Sequence, residues 1–407
     1  MKVLYIHQYF KTPEEGGAIR SYYLATGLAE NGYDVEMITS HGYKESITKS
    51  IDGIKIHYLP VAYQNKFGFI RRIYAFIKFL WLAFKKAKEI KDVDIVYATS
   101  TPLTIGLLAL WIKKKFKIPF YFEVRDLWPE APIQMGVVRN GLLKRLLVKL
   151  EKTIYQEADK IIALSPGIRD GIKKISPQKS VYVIPNMSDC DFFNIEAKEK
   201  RLEKKFKVEK RFVITYFGAI GKVNHLDYFL DFVEAAKKKH LKLSFIIAGQ
   251  GSEVKRLKKN ARLRHLNALQ FLPFQNKEGI REVLNITDAV YISFANKPIL
   301  QTNSPNKFFD ALAAGKLIIT NTNGWVREIS ESHRCGFYYN PENPRQIIDK
   351  LKPIVNDRNY LLSFQNNSRS MAELYYSKEL QVQKLLKVFN NEHQMRINDS
   401  SVYILTA

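Results

Sequence analysis

The sequence predicts an α/β protein of two domains, each a parallel sheet wound with helices. Three observations predict it. Apolar runs of strand length alternate with helix-length segments along the chain. A charged stretch with few apolar residues, EAKEKRLEKKFKVEKR at 196–211, divides that alternation into two halves. Glycines stand where strands give way to helices, the positions at which backbone must come close to something.

The elements follow in order. Strands are predicted at 3–6, 35–39, 54–59, 95–98, 120–124, 161–164 and 181–184 in the first half. They resume at 212–217, 243–248, 269–272, 289–294 and 317–320. These runs make an N-terminal Rossmann-like domain over 1–190, a link over 191–211 and a C-terminal Rossmann-like domain over 212–375. A last helical pattern, strongest at 378–389, is placed as a helix over 376–395 crossing back to the first domain, with a tail at 396–407. Two such domains set the carboxyl ends of their strands across a cleft, and ligands of this class bind there.

Composition narrows the partners. The chain has 407 residues, 46% of them hydrophobic, enough for two cores. Its two cysteines, Cys190 and Cys335, suit a reducing compartment rather than a disulfide framework. The N-terminus lacks the pattern of a signal peptide, and no run of about 20 apolar residues offers a membrane span. A net charge of +24 calls for an anionic partner: nucleic acid, anionic lipid or a phosphorylated substrate.

The chemistry is expected in loops that follow strands. Gly16 and Gly17 precede a helix and would let backbone N–H groups meet an anion. Gly218 and Gly221, with Lys222, make a second phosphate-cradling turn, and Gly249 and Gly251 would let a nucleotide pass close to the backbone. In SPNKFFDALAAGK, Ser304 is expected to cap a helix carrying Pro305 at its first position. Lys307 and Asp310 lie three apart on that helix, where the cation would meet a diphosphate and the carboxylate would accept from ribose hydroxyls. The plain alternative for this pair is a surface salt bridge of little worth.

These motifs, in this order, resemble glycosyltransferase family 4. The resemblance rests on EEGGAIRSYYLATGLAENGYDV, YFEVRDLWPEAP, ALSPGIRDGI, VIPNMSDCDFF, ITYFGAIGK, IIAGQGSE and SPNKFFDALAAGKLII. The second of these is similar to a segment of bacterial surface-polysaccharide members. The resemblance implies the GT-B fold, two Rossmann-like domains with sheets facing across a cleft. It further implies a retaining transferase that takes a nucleoside diphosphate sugar, with Gly16 and Gly17 near the donor phosphates. Arg125 and Asp126 would be catalytic with Lys307, while Arg20 and Glu130 would stand on the acceptor side. The pattern departs from the family in three places. Many members carry a histidine where Arg125 stands, and a structural Arg125–Asp126 pair under the loop is the alternative to a catalytic one. The family often has two glutamates eight positions apart in the donor helix segment, whereas this chain has Thr302 and Asp310; Thr302, Asn303 or backbone amides would replace the first. Many members carry Arg and Lys after the first strand of the second domain, whereas Ala219 and His225 stand nearest here, with Lys222 between.

The remaining charge gathers in KFGFIRRIYAFIKFLWLAFKKAK at 66–88, which has no acidic residue. Arg71, Lys78 and Lys85 recur every seventh residue amid aromatic and aliphatic side chains, a pattern suited to lying in a bilayer interface. Trp111 and the lysines after it repeat the theme, and a helix buried against the sheet is the alternative. Basic residues mixed with aliphatics rather than polar readers speak against nucleic acid. Asp189 and Asp191 spell a DxD string, yet they fall in the link, and no His cluster has metal-ligand spacing, so no metal is expected.

The expected partners are therefore a nucleoside diphosphate sugar, UDP-linked, a lipid-linked saccharide acceptor and an anionic membrane surface, but no nucleic acid. The expected location is the inner face of the cytoplasmic membrane. A non-catalytic sugar-nucleotide-binding subunit and a GT-B epimerase are the alternatives.

Overall fold

The computed structural model describes residues 1–16, 19–63 and 67–391. The chain forms two compact units, the first comprising Met1–Pro185 and the segment from Glu379 onward, the second Asn186–Lys378. The division falls at Pro185 and Lys378 rather than at 190 and 375, and the charged stretch belongs wholly to the second unit, where it forms the short helix Lys200–Phe206.

The first unit holds eight strands: β1 Lys2–Ile6, β2 Asp34–His41, β3 Ile47–Ile51, β4 Ile54–Pro60, β5 Ile95–Thr99, β6 Phe120–Val124, β7 Lys160–Ala163 and β8 Val181–Val183. Their order is β3-β4-β2-β1-β5-β6-β7-β8. All neighbours run parallel except β3, which pairs antiparallel with β4. The central strands are buried along their whole length, as parallel strands covered on both faces must be. The order reverses between β1 and β5, so the loops after those two strands diverge and leave a crevice at the carboxyl edge.

The second unit holds six: β9 Phe212–Ala219, β10 Leu243–Gln250, β11 Leu269–Leu272, β12 Ala289–Ile292, β13 Leu317–Thr320 and β14 Gly336–Tyr338. Their order, β11-β10-β9-β12-β13-β14, is all parallel and reverses between β9 and β12. Its core includes Phe229, Phe232, Phe245 and Tyr291, whose rings meet edge-on or tilted.

The helix Lys378–Phe389 packs on the first unit. Phe389 touches Tyr33, Tyr97 and Tyr121 edge-on, and the Lys160 ammonium caps the helix end at the Val388 carbonyl. Gly27 has no side chain because Val382 occupies the space a Cβ would need.

Segment 66–88 becomes the helix Phe69–Ala87; Lys66 lies outside the described residues. Ala75, Phe79, Leu80, Ala83 and Ala87 are buried, while Ile70, Ile73, Tyr74, Ile77 and Trp81 face outward. One face is therefore core, and the outward side exposes these apolar side chains together with Arg71 and Lys85. Among the described residues, no helix is long and apolar enough to cross a membrane. Cys190 and Cys335 are free thiols.

Candidate active site

In the second unit the glycine-rich turns come together at the carboxyl edge of the sheet. The turn after β9 is tied to the one after β10 by Ile220 N–H donating to Gln250 O (2.9 Å) and Glu253 N–H to Ile220 O (3.1 Å). It is tied to the loop after β12 by Ser293 Oγ donating to Asn224 O (2.7 Å) and Ala295 N–H to Val223 O (2.8 Å). Three segments distant in sequence are thereby held around the point where strand order reverses.

The glycines have separate reasons. Gly218 has φ of 119°, and a Cβ there would reach 3.4 Å from Lys307 Cε. At Gly249 and Gly251 a Cβ would collide with the carbonyl oxygens of Gly218 and Ile220. The absence of a side chain at these two positions thus makes room for the neighbouring loop, which carries Gly218 and Gly221.

Lys307 lies on the helix Asn306–Ala313. Its ammonium donates to Tyr216 Oη (2.8 Å) and sits 3.9 Å from the centre of that ring. No carboxylate pairs with it among the described residues, and burial pushes its pKa down to about 7. Asp310 lies one turn on in the same helix. Burial pushes its carboxyl up to about 7, opposed by Lys277 and helped by Asp189. The surface salt bridge between Lys307 and Asp310 does not form among the described residues. Ser304 is not the cap: Pro305 holds that position, Asn306 opens the helix, and the Ser304 hydroxyl accepts instead from Asn186 N–H (3.3 Å). A proline at 305 has an extended φ, ψ pair, so the helix starts one residue later than a capping serine requires.

Thr302 closes a short 3₁₀ turn by donating to Ile299 O (2.8 Å), and Asn303 O accepts from Trp325 Nε1 (2.8 Å). A cavity of about 440 Å³ is lined by Gly221, Lys222, His225, Asp227, Glu253 and Arg256. Arg256 is engaged by both Asp227 oxygens (2.7 and 2.6 Å) and by Glu253 (2.6 Å), and Lys222 and His225 are the other basic side chains in the lining. His225 adopts a left-handed φ of 42°, a conformation more usual for glycine. Ala219 contributes only its carbonyl, which accepts from Tyr216 Oη (2.5 Å).

Asp189 and Asp191 are held by lysines. Asp189 pairs with Lys277 (2.5 Å) and Lys378 (3.2 Å), and Asp191 with Lys378 (2.5 Å). Among the described residues no group of three metal-ligating side chains occurs.

In the first unit Arg125 stands just past β6. Its N–H donates to Ser100 Oγ (3.1 Å) and its guanidinium to His7 Nε2 (3.3 Å). Arginine only donates, so His7 accepts through Nε2 and is neutral; burial, then Arg125, holds its pKa well below the usual value. His7 Nδ1 and both amide atoms of buried Gln8 have no hydrogen-bond partner among the described residues. Reading the sequence missed these two, although a polar pair directly after a buried strand was a visible signal. Asp126 is half-buried beside Arg125, and burial raises its pKa. Glu130 is exposed and accepts from Gln134 (2.7 Å).

Arg20 is a correction. It is buried in the first unit, donating to Glu123 through Nε (3.0 Å) and Nη2 (2.9 Å) and to Pro185 O. Tyr97 Oη donates to the same carboxylate (2.6 Å), so Arg20 neutralises a core acid and has no free face for an acceptor. Gly16 has φ of 66° and is buried, while Gly17 lies outside the described residues.

Two family models match the chain. Residues 15–192 match Glycosyltransferase Family 4, and residues 197–371 match Glycosyl transferases group 1. WcaI of Escherichia coli K12, named as a colanic acid biosynthesis glycosyl transferase, is 24% identical over 47% of this chain and 48% of its own length. The chain thus spans about half the length of that curated relative in the matched region. Two solved structures resemble this one over 96% of the chain. Sucrose-phosphate synthase from Thermosynechococcus elongatus has a TM-score of 0.77 at 13% identity, covering 99% of that chain. Anabaena HepE in complex with UDP and glucose has 0.70 at 16%, also covering 99%. With both domain models in sequence and the fold shared end to end, the chain belongs to the family 4 glycosyltransferases of GT-B fold.

Proposed function

We propose that this chain moves a sugar from a UDP-sugar to a lipid-linked saccharide, with retention of configuration, in building a bacterial surface polysaccharide. The observation that carries this reading is Lys307, a cation with no carboxylate paired to it among the described residues, set against Gly218 among strand-end loops. As the glycosidic bond breaks, positive charge grows on the sugar and negative charge on the departing diphosphate. A positioned ammonium and the N–H groups at the start of the helix Asn306–Ala313 stabilise that anion. Asp310 accepts from the ribose, and Lys222 and His225 serve the phosphates from the other wall. Arg125, with His7 and Asp126 beside it, acts on the acceptor side.

The nucleotide is read from HepE, whose structure holds UDP and glucose, and the pathway from the name of WcaI. The reaction runs without a metal; the DxD carboxylates are bound by Lys277 and Lys378. The outward face of the helix Phe69–Ala87 rests on the cytoplasmic membrane's inner face, where the acceptor lies.

The test is to incubate the purified chain with UDP-sugars and a lipid-linked saccharide extract in EDTA, and to read the product's linkage by NMR. A glycosylated lipid with retained anomeric configuration is expected. Activity lost in EDTA and restored by manganese would remove the metal-free mechanism, and an inverted product the retaining one. A non-catalytic binding subunit is the second reading, favoured by Thr302, whose hydroxyl is engaged by Ile299 where the family has a carboxylate. Tight UDP-sugar binding with no turnover on any acceptor would select it.

A further inference from the structure

The helix Gly141–Glu157 joins β6 to β7 in the first unit. Its second half is anchored: Ile154 and Tyr155 are buried, and Gly106 lacks a side chain because a Cβ would lie 2.6 Å from Ile154 Cδ1. Its first half is not. Leu142 is 69% exposed and Leu146 57%, with Val148 and the preceding Val137 also outward. Lys144, Arg145 and Lys149 stand among them, and no acidic residue occurs between Ala131 and Leu150. Asn140 caps the helix through Leu143 N–H (2.9 Å), so this half is a formed helix rather than a frayed end.

Exposed single leucines are ordinary on a protein surface, but these are not scattered. Of the 18 large hydrophobic residues exposed among the described residues, 11 lie on or just before three helices of this unit: Phe69–Ala87, Thr104–Phe116 and Gly141–Glu157. The middle helix contacts both of the others, so the three lie side by side on one face of the sheet. The two outer helices each follow a strand of a parallel sheet and run back antiparallel to it, so both begin at its carboxyl edge. Their exposed apolar halves therefore sit at the same end as Arg125 and Glu130, on the order of 20 Å apart from two interhelical spacings.

We infer that residues 137–149 are a second bilayer-docking element, which with the helix Phe69–Ala87 seats this unit on an anionic membrane at two lines of contact. The inference rests on the membrane reading above and adds a separate surface to it. Leucine and valine interleaved with lysine and arginine, and free of acids, match the boundary between acyl chains and anionic headgroups. A second copy of this chain fits poorly, because pairing the face with itself would oppose like charges. One docking helix leaves the unit free to roll about its axis; two fix which end of the sheet faces the lipid.

The test compares the parent with L142Q/L146Q and, separately, I70Q/I77Q. Binding is measured by sedimentation with vesicles of phosphatidylcholine plus phosphatidylglycerol and with vesicles of phosphatidylcholine alone. All four positions are exposed and glutamine is a good helix former, so melting temperatures should match the parent's. Each pair should weaken binding to the anionic vesicles at least about tenfold, as expected for losing two buried aliphatic side chains. R145Q/K149Q should weaken it only where phosphatidylglycerol is present. If I70Q/I77Q releases the protein while L142Q/L146Q binds as the parent does, this inference is overturned and the first membrane contact stands. If neither changes binding, both fall. A shift in oligomeric state with unchanged vesicle binding would overturn it in favour of self-association.

Discussion

Lys307 illustrates how one side chain's surroundings set its chemistry. Burial has removed most of its preference for the charged form, so in the free protein it is largely neutral above pH 7. A diphosphate beside it would raise that pKa, and donor binding should then take up a proton. At about pH 8, where Asp310 with its pKa of about 7 is already mostly ionised, calorimetry of UDP in two buffers should report this uptake. It should vanish in Lys307→Met, whose turnover should fall more than its apparent KM rises, because the anion's charge peaks in the transition state. Uptake that persists in the variant would place the titrating group elsewhere. Arg20 teaches the opposite lesson. An arginine beside a glycine turn reads as a ligand, yet its partner Glu123 was visible as an acid inside an apolar strand, and a buried acid needs a cation. Glu123→Gln should cost about 3–5 kcal/mol by leaving Arg20 uncompensated. The Arg20 guanidinium holds the Glu123 carboxyl below its ordinary value, so this contribution is present above the unfolded pKa and fades as pH falls through the folded one. Denaturant midpoints of parent and variant should therefore converge in acid and separate towards neutral pH.

Among elements, the strands buried on both faces were legible from apolar runs alone, and the two that were not explain themselves. β3, ITKSI, is an antiparallel edge strand with three exposed residues, so it carries no apolar run. Its signal was the Asp52-Gly53 turn into β4, where both residues have positive φ, as a two-residue hairpin of that twist requires. β14 is three residues long, too short for periodicity to register. The helix Asn306–Ala313 was found with its cap misassigned by one residue, and Lys307 and Asp310 do lie on it. The sequence alone did not show that the glycines of these loops also let the loops approach one another. Since the carbonyls of Gly218 and Ile220 fill the space at positions 249 and 251, Gly251→Ala should destabilise the second unit by roughly 1–3 kcal/mol. It should also weaken UDP binding, by moving the turn that carries Gly218 and Gly221. A variant that loses neither stability nor affinity would show that the two loops can part without consequence.

At the scale of the whole molecule, the net charge of +24 is the most evident property of the composition and the least informative until placed. On the three-helix face it is joined to exposed aromatic and aliphatic side chains, which makes a prediction about salt. The Debye length shrinks from about 10 Å at 0.1 M to about 3 Å at 1 M, so vesicle binding should decline steeply over that range yet level off at a residue held by apolar burial. Binding that falls to nothing would mean that the aromatic face stays out of the lipid. Charge and hydrophobic pattern marked the helix Phe69–Ala87 in the sequence as the candidate for docking; the proposed second element was hidden because its leucines also suit a core, and only the fold reveals which are uncovered. The helix Lys378–Phe389 carries a further consequence. It completes the first unit's core through Phe389, yet it is encoded after all of the second unit, Asn186–Lys378. At roughly 5–20 residues per second, a ribosome needs about ten to forty seconds to cross that span. Throughout that interval the emerging first unit has a vacant groove lined by Tyr33, Tyr97, Tyr121 and Gly27, while the second unit can close its own sheet. Maturation of this chain therefore runs inward to outward: the inserted unit finishes first, and the enclosing one waits for its final helix.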